Sequence, residues 1–304
     1  MIDRYGKYKN ENDVCWQYKV KESQLESDRQ RFNISDDEID HIQTKDLEFR
    51  YIDKTDSAGC KEIKDFIERY EWLGKMPVWV TNRFGAYYGD ILVGCVVMAS
   101  PYVRCDYLGY TESKEMEKLI ARGASSPLAP KNMASWLIMK SIRWMVDSTQ
   151  FRVFSAYADP EALELGTVYQ ACNFEYLGQS FGGGYVYIDS DNEENGWFGS
   201  SYFNQRSVIK RVAIASGVEW KPEYIRLNAR GNKRLINWDV MGVELKLEVK
   251  EHVKKYRDTF YKYKTDKKHK YIYVAGVNKA ETRRLRKMFN SSTETYPYPV
   301  ERGK

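Results

Sequence analysis

The sequence predicts an α/β protein: a mixed, mostly antiparallel central sheet flanked by helices, followed by a basic C-terminal extension. Three features carry that expectation. Two β-rich runs in VWVTNRFGAYYGDILVGCVVMAS (78–100) flank Tyr88-Gly89-Asp90, where Gly and Asp suit a tight hairpin turn. Between Glu117 and Met145 a strand-like run, a loop with two prolines and a helix-periodic stretch follow one another. The run FRVFSAYA (151–158) is mostly apolar or β-branched and stops at Asp159-Pro160, as a buried strand that ends in a carboxylate does.

Taken in order, residues 1–57 form an acidic lead-in, irregular or partly helical. From Ala58 to Tyr70 the apolar Ile63, Phe66, Ile67 and Tyr70 recur at three and four, behind Asp56 or Ser57 as N-cap, so an amphipathic helix is expected. The hairpin comes next, then a strand over Glu117–Ala121. A loop over Ser125–Asn132 leads into a helix through Trp136, Leu137, Ile142 and Met145. After the strand 151–158, a short helix covers Thr167–Cys172, and a last hairpin over Phe174–Ile188 turns near Gly182-Gly183-Gly184. Beyond this core, taken as 58–195, the extension 196–304 offers a helix over Asn204–Ala215 and a β-like segment over Glu244–Val249. No Pro/Gly/Ser-rich linker marks a boundary, so the extension either folds separately or wraps the core.

Composition excludes several classes. With 42% apolar residues the chain has the bulk for a packed core, and no run approaches the roughly 20 apolar residues of a spanning helix. A soluble protein with no membrane partner is expected. The five cysteines are scattered and never spaced as CxxC, and the three histidines (His41, His252, His269) are far apart, so neither a disulfide framework, a zinc site nor a His-based triad is expected. The net charge of +5 hides an asymmetry: residues 1–60 sum to −4 and residues 250–304 to +10. A basic C-terminal end points to a polyanionic partner, against the alternative of a solvated helical face.

Four places carry candidate chemistry. Backbone N–H groups of the loop 125–132 and the positive end of the following helix can hold an anion, although an ordinary capped connection reads equally well. No GxxxxGK[ST] is present, which argues against a nucleotide triphosphatase. Asp159, at the carboxyl end of a strand, is a candidate general base or orienting carboxylate, or else an Asx turn ahead of Pro160. Tyr169 can protonate a leaving group, unless it is a buried aromatic with a satisfied hydroxyl, and Glu71 ends the first core helix where a carboxylate can face the sheet. The C-terminal run interleaves cations (Lys262, Lys264, Lys267, Lys268, Lys270, then Arg283, Arg284, Arg286, Lys287) with aromatics. Cations meet phosphates while rings stack on bases, so this mixture suits nucleic acid.

The element order resembles the GNAT acyltransferase superfamily, whose two middle strands splay to admit a thioester donor and whose next loop holds its pyrophosphate. That loop here is Ser125–Asn132, without the superfamily's Gln/Arg-x-x-Gly-x-Gly/Ala pattern, and Tyr169 matches the superfamily's late-helix tyrosine. More specifically, LIARGASSPLAPKNMAS (119–135), SAYAD (155–159) and GTVYQACNF (166–174) together resemble the Mom-like DNA-modification proteins of bacteriophages, with weaker likeness in HKYIY (269–273) and YPYPV (296–300). Where that family often has a histidine ending the first helix, this chain has Tyr70 and Glu71, and no metal is expected.

The resemblance implies an enzyme in the cytoplasm of an infected bacterium that adds a carbamoylmethyl-type group to the adenine N6 amine of double-stranded phage DNA, protecting it from host nucleases. Asp159 would take the amine proton, Tyr157 orient the base and Tyr169 protonate the leaving group, with Glu71 nearby. Ser125, Ser126, Ala129, Lys131, Asn132 and Ser135 would hold the donor, either an acetyl-coenzyme A-type thioester or an aminoacyl-tRNA. Arg122 joins the C-terminal cations as an expected DNA contact. A conventional N-acetyltransferase acting on a small-molecule or protein amine, and a non-enzymatic DNA-binding anti-defence protein, are the alternatives.

Overall fold

The computed structural model describes residues 14–189, 191, 197–229, 231 and 233–300. Among them two compact units form: 14–182 with 266–300, and 183–265, which interrupts the first in sequence. The sequence predicts boundaries at 57 and at 195; the first 13 residues of the lead-in and residue 195 lie outside the described residues.

In the larger unit the lead-in is largely helical, with α1 (Trp16–Phe32) and α2 (Asp36–His41), and it ends in a strand, β1 (Glu48–Ile52). Buried Asp28 ties α1 to the next helix, accepting from Arg69 at 2.6 Å and from the Tyr70 hydroxyl at 2.7 Å. That helix, α3 (Ser57–Tyr70), has the expected cap: the Asp56 carboxylate accepts the Gly59 N–H at 2.9 Å. The hairpin follows as β2 (Val80–Tyr88) and β3 (Ile91–Ala99), with Gly89 at φ +58 in the turn. Next come β4 (Glu117–Ser125), four residues longer than expected, and α4 (Met133–Ser148), then β5 (Val153–Ala158), α5 (Thr167–Ala171) and β6 (Glu175–Gly182).

The expected hairpin over Phe174–Ile188 does not form. In the smaller unit β7 (Tyr185–Asp189) pairs with β8 (Trp197–Gly199) and with β11 (Phe260–Lys264), and β6 instead pairs with β12 (Lys267–Val274). Gly182 and Gly183 both hold positive φ, yet the residues after them pair with β11 rather than turning back on β6. β12 lies between β5 and β6, where fully buried Tyr271 and Ile272 gain packing on both faces. The sheet order is therefore β1-β2-β3-β4-β5-β12-β6, antiparallel throughout except for the β4–β5 pair. The fold class is the mixed, mostly antiparallel α/β sheet that the sequence predicts, and the basic C-terminal residues supply one of its interior strands.

Alternation along the strands divides the core. Phe84, Val96, Ile120, Phe154 and Tyr271 pack with α4 on one face. On the other, Val97 and Cys95 meet Ile63 and Ile67 of α3, and Val153, Ile272 and Val274 meet Leu285 and Phe289 of α8 (Lys279–Ser292).

The smaller unit has its own core around α6 (Arg206–Ala215) and α7 (Val243–Asp258), with a two-stranded β9 (Ile225–Leu227) and β10 (Arg234–Ile236) sheet. The segment Glu244–Val249, expected as β-like, is helical. Leu245, Val249 and Val253 recur every fourth residue and pack on one side of the helix, a pattern that six residues are too short to reveal.

Candidate functional site

β4 and β5 run parallel and pair only from Glu117 with Val153 to Ile120 with Ala156. Beyond that point β4 stays on β3 up to Ser125, so the two strands part at their carboxyl ends, the splay implied by the resemblance. A register shift between Val97–Arg122 and Met98–Ile120 leaves Ala121 as an extra residue, a bulge that re-aims Arg122. Arg122 then lies on the face that packs against α3, since its neighbour Ala124 belongs to that cluster.

There it meets Glu71, the C-cap of α3. The Arg122 Nε is 3.3 Å from Glu71 Oε1, while Oε2 accepts the N–H groups of Leu73 at 2.9 Å and Gly74 at 3.1 Å. Glu71 is only 6% exposed, and burial pushes its carboxyl pKa up, with Arg122 pulling the other way.

Asp159 stands at the end of β5 opposite Lys268 of β12, whose Nζ is 3.0 Å from Oδ2. Its Oδ1 accepts the Glu161 N–H at 3.1 Å, so Asp159 is at once a capping residue and an ion-paired carboxylate. Its own N–H donates to Glu164 Oε2 at 3.1 Å. Glu164 is the site residue that sequence reasoning missed. Burial raises its carboxyl to about 7, with Glu71 and Asp159 adding to the rise and the Asp159 N–H and Lys268 opposing it. The available signal was a single carboxylate between Leu163 and Leu165, five residues after Asp159.

Tyr169 of α5 packs its ring, tilted, 5.3 Å from Phe174 and 5.5 Å from Tyr271. Burial and the neighbouring Glu164 charge raise its phenol, which therefore keeps its proton at neutral pH. The structure thus gathers Glu71, Arg122, Asp159, Glu164, Tyr169 and Lys268. Tyr157 joins a neighbouring group on the same face of β5, where burial and Glu117 raise its phenol and Lys270 Nζ lies 5.6 Å from its ring centre and 5.1 Å from that of Tyr107. His269 is buried, its Nδ1 2.7 Å from the Tyr176 hydroxyl, and burial lowers its pKa.

The expected donor loop starts at Ser125, the last residue of β4. The Ser126 N–H donates to Val93 O at 2.9 Å, and its hydroxyl is buried without a hydrogen-bond partner among the described residues. The Ala129 N–H returns to Ser126 O at 3.2 Å; Asn132 adopts φ +66 at the mouth of α4, and the Ser135 hydroxyl caps back to Asn132 O at 2.9 Å. Lys131 is exposed beside the first turn of α4, where N–H groups lack intrahelical acceptors. These features suit an anion.

The cations expected to contact nucleic acid separate into groups. Arg122 and Lys268 are half-buried in ion pairs with Glu71 and Asp159, and Lys270 lies against aromatic rings, whereas Lys267 is exposed at the start of β12. Lys262 and Lys264 are exposed on β11 of the smaller unit, Lys262 lying 3.8 Å from the Tyr185 ring centre. Arg283, Arg284, Arg286 and Lys287 are exposed on α8. Among the described residues no group of three or more His, Cys, Asp or Glu side chains is placed to hold a metal, and no helix is long and apolar enough to cross a membrane.

Residues 46–195 match the Mom protein family, a span that includes every member of the gathered cluster except Lys268. No curated protein matches the chain. Among solved structures, the chain is similar to an N-acetyltransferase from Staphylococcus aureus Mu50 at 14% identity and a TM-score of 0.31, covering 50% of this chain and 92% of that one. It is also similar to a ribosomal-protein-S5-alanine acetyltransferase from Vibrio fischeri (11% identity, TM-score 0.32, covering 46% and 85%). A third is the spermidine N-acetyltransferase from Vibrio cholerae in complex with CoA and spermine (14%, TM-score 0.29, covering 45% and 87%).

Proposed function

Because residues 46–195 match the Mom protein family, we propose that this chain is a transferase that modifies adenine in bacteriophage DNA, adding a small acyl-like or glycine-derived group to the N6 amine. The observation that carries the reading is the carboxylate pair at the end of β5: Glu164, held near neutrality and bonded to the Asp159 N–H, beside Asp159 in its ion pair with Lys268. An adenine amine is a weak nucleophile because its lone pair is delocalised into the ring. A base able to take its proton at pH 7 is what such a substrate requires.

The amine nitrogen bonds to the donor's electrophilic carbon as the bond from that carbon to the leaving group breaks. The amine proton passes to Glu164, with Asp159 and Lys268 fixing the position of that carboxylate. Tyr169, kept protonated by its burial, gives its proton to the leaving group. Tyr157 orients the base, which must leave the duplex stack to be reached. Ser125, Ser126, Ala129, Lys131, Asn132 and Ser135 would hold the phosphates of a coenzyme A-type thioester or of an aminoacyl-tRNA. The partnerless Ser126 hydroxyl and the open first turn of α4 fit such a group. When bound, the donor supplies the activated carbon.

One observation favours a second reading, acyl transfer to a small cationic amine: three carboxylates, Glu71, Asp159 and Glu164, share the site and would attract a protonated amine. Nucleoside mass spectrometry of plasmid DNA from bacteria expressing the chain, beside Glu164→Gln and Asp159→Ala, separates the two. A heavier adenosine that disappears in both folded variants is expected. Unmodified DNA together with coenzyme A-dependent acylation of polyamines would replace the first reading by the second.

A further inference from the structure

We propose that the groove along α8, completed by the loop between β12 and α8 and by Arg143 of α4, is a docking track for the phosphate backbone of DNA. The groove measures about 810 Å³, and its charged lining is Arg143 of α4 with Lys279, Arg283, Arg286 and Lys287 of α8. No carboxylate lines it.

The sequence builds this row by periodicity. Leu285 and Phe289 are buried against the sheet and fix the rotation of α8, so that Lys279, Arg283 and Lys287, spaced by four, fall one above another on its outer side. At about 1.5 Å per residue the three span roughly 12 Å. A DNA strand passes one phosphate for about every 3.4 Å of axis, so the row faces several in succession.

Two of the five cations are fixed by the protein. Arg143 is held by Asp147 at 2.6 Å and by Val277 O at 3.2 Å, and Arg286 Nε donates to Val274 O at 3.3 Å. Lys279, Arg283 and Lys287 have no acidic partner among the described residues and remain for a ligand. The nearest acid of the helix, Glu281, is engaged by Arg152 and by the Val277 N–H, and Arg284 lies on its side of α8 and outside the groove lining. The amino-terminal end of α8, capped by Asn278, adds its partial positive charge at the Lys279 end. With Lys268 and Lys270 committed elsewhere, the free positive charge of the larger unit's C-terminal stretch concentrates in this groove.

The choice of DNA over RNA rests on the proposed function; the phosphate track itself does not. The test compares the full chain with the K279Q/R283Q/K287Q variant, its fold checked by thermal unfolding, for binding to a short labelled DNA duplex over a salt series. Three lost phosphate contacts are expected to reduce the slope of log K against log salt by about 2.7 and to weaken binding at least about tenfold at 100 mM salt. A variant with the wild-type slope and affinity, or a wild-type chain that binds no duplex, overturns the assignment. Tighter binding of a matched RNA duplex by the wild-type chain overturns the choice of DNA. Loss of binding in the variant, when wild-type expression leaves plasmid adenine unmodified, keeps the track and removes the modification reading instead.

Discussion

Glu164 makes folding stability a reporter of the site. Its folded-state carboxyl is raised to about 7 from an ordinary 4.5, so between those pH values the folded chain holds a proton that the unfolded chain has released. Stability therefore falls as pH rises through that window, by on the order of 3 kcal/mol. Glu164→Gln should remove this fall, leaving a variant that is inactive yet more stable than wild type at pH 8 and equal to it near pH 4.5. Urea unfolding of both proteins over pH 4 to 8 measures the difference; a flat difference curve would mean that Glu164 does not titrate there. Subtracting the variant also removes the contribution of Glu71, whose carboxyl burial raises in the same direction. Asp159 and Tyr169 were legible in the sequence because strand ends and short helices leave local patterns. Glu164 was not, because its raised pKa depends first on the fold that desolvates it and then on Glu71, which lies 93 residues earlier.

Among elements, local signals sufficed wherever a partner lay nearby. The hairpin of β2 and β3 and the helices α3 and α4 follow from turn chemistry and apolar spacing. β12 did not, since its paired residues in β5 and β6 are 85 to 121 residues away and its alternation of Lys and Tyr resembles a solvated run. The attachment of α1 was equally hidden, resting on a buried charge rather than on an apolar stripe. Asp28 is fully buried, and with Arg69 and Tyr70 it holds α1 on α3. Asp28→Ala should strand both partners and cost about 3 to 5 kcal/mol, with Tyr70→Phe costing nearer 1 kcal/mol. Denaturant midpoints of the two variants test this, and equal small shifts would show that the cluster is dispensable.

In the molecule as a whole, the order of elements in sequence and in space disagree most at the C-terminus. Residues 183–265 form their own unit, and only after them does the chain return to the first unit with β12 and α8. A chain ended at Thr265 retains the whole stretch 46–195 that matches the family, yet it lacks the strand between β5 and β6 and the helix that covers Val153. Two unpaired strand edges and an uncovered apolar face would remain. Such a truncation is expected to be insoluble or without cooperative thermal unfolding, and a soluble product with a sharp transition would show that the family segment folds independently.

Synthesis on the ribosome gives this arrangement a temporal meaning. Lys268 emerges more than 100 residues after Asp159, an interval on the order of ten seconds at about 5–20 residues per second. Throughout that interval the nascent chain displays Asp159 without its countercharge and leaves the sheet open at its middle. Chemistry that depends on this pair would wait until Lys268 has emerged, so products terminated before it would be inert by construction.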